Sequence, residues 1–552
     1  MGLAAALNTG KTSLFASQKS IEIAGNNIAN VNTEGYSRQT AVLGDIPSLE
    51  FGGFFVGTGV RVNNIEREYD VFINEQLLDK SQELGAEDAK STPLSELERV
   101  FSVGEDNLAT EIDRFFDAWQ ELSANPSGQV ERDIVIQRGE LLASSFNSVA
   151  RDLDNVRSNI NETVASEIDG VNLKLNQIAD LNTKIQTIEA NGQSANSFRD
   201  QRDLLLQELT YTLGVQSYEE TGGAVNIQLP GGLPLVQNGS ALQLEATPKG
   251  EDLVLTLNIG ESSFDVKGKN LGGKFQGLFE LRDEFIPTLK ADLDLTAYEL
   301  VQEVNNLHAQ GMGLDGSTGV AFFNNPGNHT TQSYSDPDLA TAFSAGNLSI
   351  EINGTPNTVA FAGGSLNDLA SAINAAALGT TATVSQQDDG SYVMMLTPDT
   401  AGQSVQLDMS EISGSYDAPE FSMPNISDLI SVSIQDTSKV AAGTGSAPGD
   451  NTNALAVSAL KDQNTIKGED TFVSFYGKMA ASVGIEAGQN RLAQSGAADS
   501  LTQLKNLRDG AVGVSIEEEM INLIKFQRGF EASAKLLSTV DELMVTVLNI
   551  KG

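Results

Sequence analysis

Nine positions at strict 4,3 spacing run through the first 31 residues: Leu3, Leu7, Gly10, Leu14, Ser17, Ile21, Ala24, Ile28 and Val31. A second stripe occupies the end of the chain as Ile516, Met520, Leu523, Phe530, Ala534, Leu537, Met544 and Leu548, with Gln527 and Asp541 in the skipped heptad positions. This period predicts amphipathic, coiled-coil-like helices at both ends. Chain ends are ordinarily ragged and polar, so two such helices at opposite ends imply that the ends themselves have a task. Pairing of the two within one chain and assembly with neighbouring chains both satisfy the pattern, and they are not exclusive. A helix of this kind is marginal alone and needs a partner surface. Gly10 and Ser17 on the seam permit close helix approach and favour crowded, multi-helix surroundings.

Acidic residues outnumber basic ones 74 to 34, a formal net charge of -40. Nucleic acid or an anionic membrane surface would have to overcome repulsion over most of such a surface, so neither is expected as a partner. With no cysteine, disulfides, thiolate metal sites and cysteine nucleophiles are excluded. The first lysine, Lys11, lies behind the run Leu3 to Leu7 rather than ahead of it, so no secretory signal peptide is expected. No apolar run of about 18 residues occurs, so no spanning helix is expected either.

The pattern then alternates along the chain. After a turn-rich break at Asn32 to Tyr36, a short extended segment includes Val60-Arg61-Val62, and helical patterning runs from near Tyr69 to about Tyr211. Its cleanest piece places Leu153, Val156, Ile160, Val164, Ile168, Val171, Leu175, Ile178, Leu181, Ile185 and Ile188 at steps of three or four, a rod of about 50 Å. From Gly214 to Gly273 the period becomes two, as hairpins require. Helix is expected again from Leu278 to about His308. Residues 340–445 read as β-rich, with strands at Leu348 to Ile352, Ala382 to Val384 and Tyr392 to Leu396. This stretch also holds an Asn353-Gly354 turn signal and one helix from Ser365 to Ala377, opened by a Ser365/Asp368 capping box. Thr437 to Asn453 reads as a Gly/Ser/Ala-rich return linker, followed by helix to the end with a break at Arg508 to Gly513 and a second capping box, Ser515/Glu518.

These readings give an α+β fold: a long helical, coiled-coil-like rod formed by the N- and C-terminal parts, with inserted β-rich domains. The expected division is 1–65 with 511–552 as a terminal helical assembly domain, 66–213, 276–319 and 450–510 as a helical rod domain, 214–275 as a β-hairpin segment, and 320–449 as an outer β-rich inserted domain.

Signs of catalysis are weak. His308 and His329 are the two imidazoles, and neither stands at i,i+4 spacing from another ligand-type residue, so no metal or catalytic triad is expected. Gly311 to Gly316 matches G-x-G-x-x-G but follows a helix instead of a strand. Gly268 to Lys274 matches G-x-x-x-x-G-K, yet Phe275 stands where magnesium needs Ser or Thr, and these glycines are expected to turn a hairpin. The scattered carboxylates read as a solvated face. We expect no enzyme, no cofactor and no metal.

One segment is more specific. Asn26-Asn27-Ile28-Ala29-Asn30-Val31-Asn32-Thr33-Glu34-Gly35-Tyr36-Ser37-Arg38 resembles the N-terminal signature of bacterial flagellar rod, hook and hook-associated proteins. Ser515 to Ile550, with Glu518 to Ile524 and Phe526-Gln527-Arg528, resembles their C-terminal helix. Further segments resemble the hook-filament junction members of that family: Arg67-Glu68-Tyr69-Asp70, Phe115 to Leu122 with Asn125-Pro126, Gln201-Arg202-Asp203, and Asn305 to Gly311. Glu34 departs from the proline common there, which loosens the turn.

The resemblance implies type III export without a cleaved signal, an extracellular place in the flagellum, and helical termini that fold into an inner tube as a ring of copies assembles at the hook tip. It implies as partners the hook protein, a second junction protein (hook-associated protein 3), further copies of the chain, and an export chaperone. It assigns Leu3, Leu7, Leu14, Ile21, Ile28 and Val31 to an N-terminal assembly interface and Met520, Leu523, Phe530, Leu537, Met544 and Leu548 to a C-terminal assembly and chaperone interface. Asn26, Asn27, Asn30, Gly35, Tyr36, Ser37 and Arg38 form the family motif. For Gly35 and Tyr36 a turn requirement and a subunit contact are both open readings. A hook or distal-rod protein of the same family, or a secreted adhesin, are the alternatives.

Overall fold

A computed structural model describes residues 2–550 apart from 52–53, 103–106, 250–251, 261, 267, 325–328, 353–354, 387–390, 399–404, 410–411, 413, 417–418, 420, 423–424 and 448. Its helices, in chain order, are α1 (Gly2–Ala29), α2 (Val71–Val100), α3 (Leu108–Ala124), α4 (Gln129–Ala190), α5 (Asn196–Leu213), α6 (Gly273–Glu280), α7 (Ile286–Gln310), α8 (Leu366–Ala375), α9 (Ile426–Leu429), α10 (Thr452–Ala459), α11 (Phe472–Val512) and α12 (Ile516–Ile550). Antiparallel strands occur within residues 39–67, 216–266 and 329–422, the last of which also holds α8. Contacts divide the chain into two compact units: residues 1–91, 160–280 and 489–552, and residues 92–159 and 281–488.

The α+β architecture, with long helices at both ends and β-rich insertions, is the one the periodicity predicts. The clean stripe from Leu153 to Ile185 is buried, and it belongs to a longer helix of 62 residues, about 93 Å at the standard rise. Segment 214–273 forms hairpins. The Ser365 capping box closes both ways: Asp368 N–H donates to Ser365 Oγ at 3.2 Å, and Ser365 N–H donates to Asp368 Oδ2 at 2.9 Å. Asn353 and Gly354 lie outside the described residues, but the strands flanking them pair with Ile352 opposite Thr355.

Five expectations need correction. The helix expected from Leu278 is interrupted by a π turn at Leu281–Phe285. The glycines at 268–274 turn no hairpin: Gly268–Asn270 is a 3-10 turn, and Gly273, at φ +57°, starts α6 where a Cβ would meet the Tyr211 carbonyl oxygen at 2.4 Å. The break before the last helix is confined to 513–515, because α11 runs on through Arg508 to Val512. The Ser515/Glu518 box is one-sided, since Glu518 N–H faces Ser515 Oγ at 3.4 Å while the Glu518 carboxylate pairs with Arg38. Thr437 to Asn453 is no loose linker: Val440, Ala441 and Ala442 are at most 2% exposed, and Asn453 Nδ2 donates to the Ala441 carbonyl at 2.8 Å. Composition misleads there because alanine is as suited to a tight interior as to a linker.

The second unit is built around an aromatic core. Phe115 and Trp119 of α3 meet Phe322 with ring centroids 5.6 Å away in each case, Phe322 meets Phe323 at 4.9 Å, and Phe116 stacks on Phe472 of α11 at 5.9 Å. Such edge and tilted contacts add to plain area burial. Asn107 caps α3 by accepting the Thr110 N–H at 2.9 Å, which fixes where these rings enter. In the same unit the β-rich insertion closes its own core on Leu348, Ile350, Leu366, Leu369, Ile373, Met394 and Leu396, with α8 packed against the sheets. Trp119 is the single tryptophan, so its fluorescence reports the second unit alone. Phe322→Ala should cost about 3–5 kcal/mol, read as a lower denaturant midpoint of the Trp119 fluorescence transition.

Candidate assembly interface at the paired termini

The first and last helices pair antiparallel within the first unit. A Cβ on Gly10 would stand 3.0 Å from Leu537 Cδ2, Ser13 Oγ lies 2.8 Å from Ser533 Oγ, a Cβ on Gly529 would stand 3.1 Å from Ser17 Oγ, and Asn27 reaches Glu519 at 3.1 Å. The seam is thus lined by small residues, which lets the two backbones come close, as Gly10 and Ser17 suggested from sequence.

The large members of the N-terminal stripe sit beside this seam and not in it. Ala16, Ser20, Ile23, Ala24 and Asn27 are buried, while Leu3, Leu7, Leu14, Ile21, Ile28 and Val31 are only half-buried. On α12, Leu523, Phe530, Leu537 and Met544 are half-buried and Met520 is 54% exposed; the side chain of Leu548 lies outside the described residues. Ile516, Met520 and Ile524, at i, i+4 and i+8, form an exposed apolar row.

The family motif forms the lock at one end of this pair. After α1 the chain must reverse into the strand Gln39–Asp45, and Gly35 supplies the left-handed residue at φ +76°. A Cβ there would be 3.5 Å from Leu204 Cβ, an ordinary contact, so conformation and not crowding calls for glycine. Asn27 is fully buried and uses its whole hydrogen-bonding capacity. Its Oδ1 accepts from the Tyr36 hydroxyl at 2.8 Å and Gln39 N–H at 3.1 Å; its Nδ2 donates to the Gln39 carbonyl at 2.9 Å and Glu519 Oε2 at 3.1 Å. Arg38 Nε donates to Glu519 Oε1 at 2.8 Å, and its Nη1 reaches Glu518 at 3.1 Å. Asn26 Oδ1 accepts from the Tyr36 hydroxyl at 3.2 Å and from Asn30 Nδ2 at 2.9 Å, holding the turn from its outer side.

A second branch leads to α5. Ser37 gives its N–H (3.2 Å) and hydroxyl (2.8 Å) to Asp200, which also accepts from Arg67 at 2.8 Å; Arg67 pairs with Asp203 at 2.7 Å and lies 4.4 Å from the Tyr69 ring centroid. Burial pushes the Asp203 carboxyl above the usual range against the pull of Arg67 and Arg202. Burial, then the charges of Asp200 and Glu519, push the Tyr36 phenol up to about 12. Tyr36 therefore stays a neutral donor at any physiological pH.

The arrangement contains no activated nucleophile; chemically it is a clamp. Glu519, Asp200 and Arg67 carry it as much as the motif does. Asp200 was missed by sequence reading, which gave no signal beyond its adjacency to the Gln201-Arg202-Asp203 segment. Among the described residues no group of three or more His, Cys, Asp or Glu could hold a metal ion, and no helix is long and apolar enough to cross a membrane.

Removing the Glu519 carboxylate takes away one of the two carboxylates that Arg38 pairs with and leaves an Asn27 donor unpaired in the interior. Glu519→Ala should therefore cost about 2 kcal/mol, and Glu519→Gln less. Hydrogen exchange of the first two turns of α12 and of residues 26–39 reads both.

Known proteins share these segments. The model of the flagellar hook-associated protein FlgK helical domain matches residues 94–323, that of the flagella basal body rod protein matches 7–36, and that of the flagellar basal body rod FlgEFG protein C-terminal matches 510–550. Flagellar hook-associated protein 1 of Escherichia coli (strain K12) is 27% identical over 562 residues, covering 99% of each chain. The protein of the same name from Bacillus subtilis (strain 168) is 26% identical over 599 residues, covering 99% of this chain and 98% of the relative. In fold, the flagellar hook junction protein FlgK from Burkholderia pseudomallei superposes with a TM-score of 0.60 at 16% identity, covering 80% of this chain and all of that one. With both termini, the helical middle and the full length all matching proteins of one kind, the chain belongs to the flagellar hook-associated protein 1 family.

Proposed function

We propose that this chain is a structural component of the bacterial flagellum that joins hook to filament, assembling as a ring at the hook tip after type III export. The observation that carries the reading is the incomplete terminal interface. α1 and α12 are locked to each other, yet the large apolar residues of both stripes are left half-covered or exposed. Neighbouring copies would complete their burial by head-to-tail contacts around the ring axis. In that reading 1–65 and 511–552 line the inner tube, and 320–449 faces outward.

The hook protein on one side and hook-associated protein 3 on the other are the partners this role requires. An export chaperone would take the Leu523, Phe530 and Leu537 stripe as a helix in a groove. Since Leu537 packs against Gly10 in the folded pair, chaperone binding and α1–α12 pairing are mutually exclusive, and the chaperone must leave before the lock closes.

Deletion of the gene, with electron microscopy of the cell surface and an assay of flagellin in the medium, tests the role. Hooks that end bare while flagellin is shed are expected; missing hooks would move the protein to the rod or hook, and normal filaments would refute the proposal. A finer test is Met520→Asp with Ile524→Asp. These side chains are about half exposed, so the isolated chain should melt within about 2 °C of the parent. It should nonetheless fail to enter the junction when it replaces the native copy.

A further inference from the structure

His308 is used by none of the contacts proposed above, and it is fully buried at the end of α7. Its Nδ1 lies 2.6 Å from the Val320 carbonyl, and its Nε2 accepts the Ala441 N–H at 2.9 Å. A carbonyl on one side and an N–H on the other assign the neutral, Nδ1-protonated ring. Trp119 and Phe322 stand edge-on at 6.0 and 5.7 Å.

The segment held by Nε2 is stitched in at several points. Arg132 of α4 donates to the Val440 carbonyl, Asn453 of α10 holds the Ala441 carbonyl, Ala454 N–H donates to the Ala442 carbonyl at 2.9 Å, and Met312 N–H donates to the Gly443 carbonyl at 2.7 Å. This segment returns the chain from the 320–449 insertion to α10.

We infer that His308 is an acid-sensitive latch: protonation of its Nε2 converts the acceptor of the Ala441 N–H into a second donor and releases the 438–443 segment. Two N–H groups cannot share one hydrogen bond, so the imidazolium must leave its site or expel Ala441. The charges around the ring act the same way. α3 and the 320–323 loop offer it the indole, the phenyl ring and a carbonyl, and α10, whose Thr452–Ala459 sequence carries no charged side chain, holds the facing Ala441 through Asn453. Among the described residues the charged group that acts on it is Arg132, which disfavours a second cation. No carboxylate among them offsets this.

Burial, opposed by the Val320 carbonyl and aided by Arg132, pulls the imidazole down to about 4. Once the segment opens, the ring returns to an ordinary value of about 6.5. Between those values the open form binds more protons, so the closed form is stable above about 6.5 and progressively lost below it. The linkage predicts roughly thirtyfold more frequent opening at pH 5 than at pH 7.5.

Hydrogen exchange of the full-length chain at pH 5.0 and 7.5, corrected for the intrinsic pH dependence of exchange, reads this directly. Protection of 438–443 should fall about thirtyfold relative to the strand 225–228. In His308→Gln, whose amide can both accept and donate without titrating, that extra fall should vanish. An equal acid response in parent and variant, or none in either, overturns the latch. Should the variant fail to fold at neutral pH, ring titration by NMR of the otherwise native chain decides, with His329→Gln for assignment. A His308 midpoint near 4 is the expected result, and one near 6.5 rejects it.

Discussion

The side-chain amide of Asn27 is the constraint on which the terminal architecture depends. It sits where α1, the strand that follows and α12 meet, and each of its four hydrogen-bonding positions is taken by one of these elements or by Tyr36. Two of the bonds go to the N–H and C=O of a single residue, Gln39. The same two-point grip recurs throughout the molecule: Asn172 holds Leu244, Asn182 holds Val225, Asn305 holds Phe323 and Asn374 holds Ala382. In every case a helical asparagine gives one backbone residue the N–H and C=O partners that a strand would otherwise give. Backbone groups brought against a helix have no ladder partner, and burying them unpaired would cost free energy comparable to a lost hydrogen bond each. The carboxamide has a donor and an acceptor spaced like those of a peptide unit, so one side chain satisfies both. A helix can in this way satisfy both backbone groups of a residue that packs on its flank.

Much of the architecture was legible because it rests on periodicity and local chemistry. The change from period 3.6 to period 2 at Gly214 and the reciprocal box at Ser365 involve residues close in sequence. The α1–α12 seam was only half legible. The two helices in need of a partner and the small residues of the seam could be read, but neither their mutual pairing nor its rotation could: a stripe of large apolar residues shows that a face is to be covered, and not whether a partner in the same chain covers it. Here Ala16, Ser20 and Asn27, unremarkable in a hydrophobic count, take the buried line. The Asp200 branch lay further out of reach, since it joins residues 37, 67 and 200 through charge and hydrogen bonds that no local pattern encodes.

The link between α11 and α12 is three residues long, so the direction of α12 is fixed by what holds its first turn. Glu517, Glu518 and Glu519 occupy that turn. Carboxylates there oppose the positive end of the helix dipole, and two of them also bind Arg38. One set of charges therefore begins the helix and aims it, and the Arg38 that receives them is set by the same turn that Gly35 and Asn27 define. Loss of any one member loosens both helix start and helix direction, a coupling that independent surface ion pairs lack.

Charge distribution bears on the proposed packing of the termini among copies of themselves. A net charge of -40 would oppose close association if it were spread evenly. α1, however, carries two lysines against one glutamate, and in α12 the six acidic residues are half offset by two lysines and one arginine. Three of those six acids lie in the first turn, where Arg38 and the helix dipole absorb two of them. Most of the repulsion thus belongs to the middle of the chain. That distribution lets the ends meet at low electrostatic cost while the remainder stays soluble and self-avoiding, so crowding of copies can occur at the termini without spreading to the rest of the molecule.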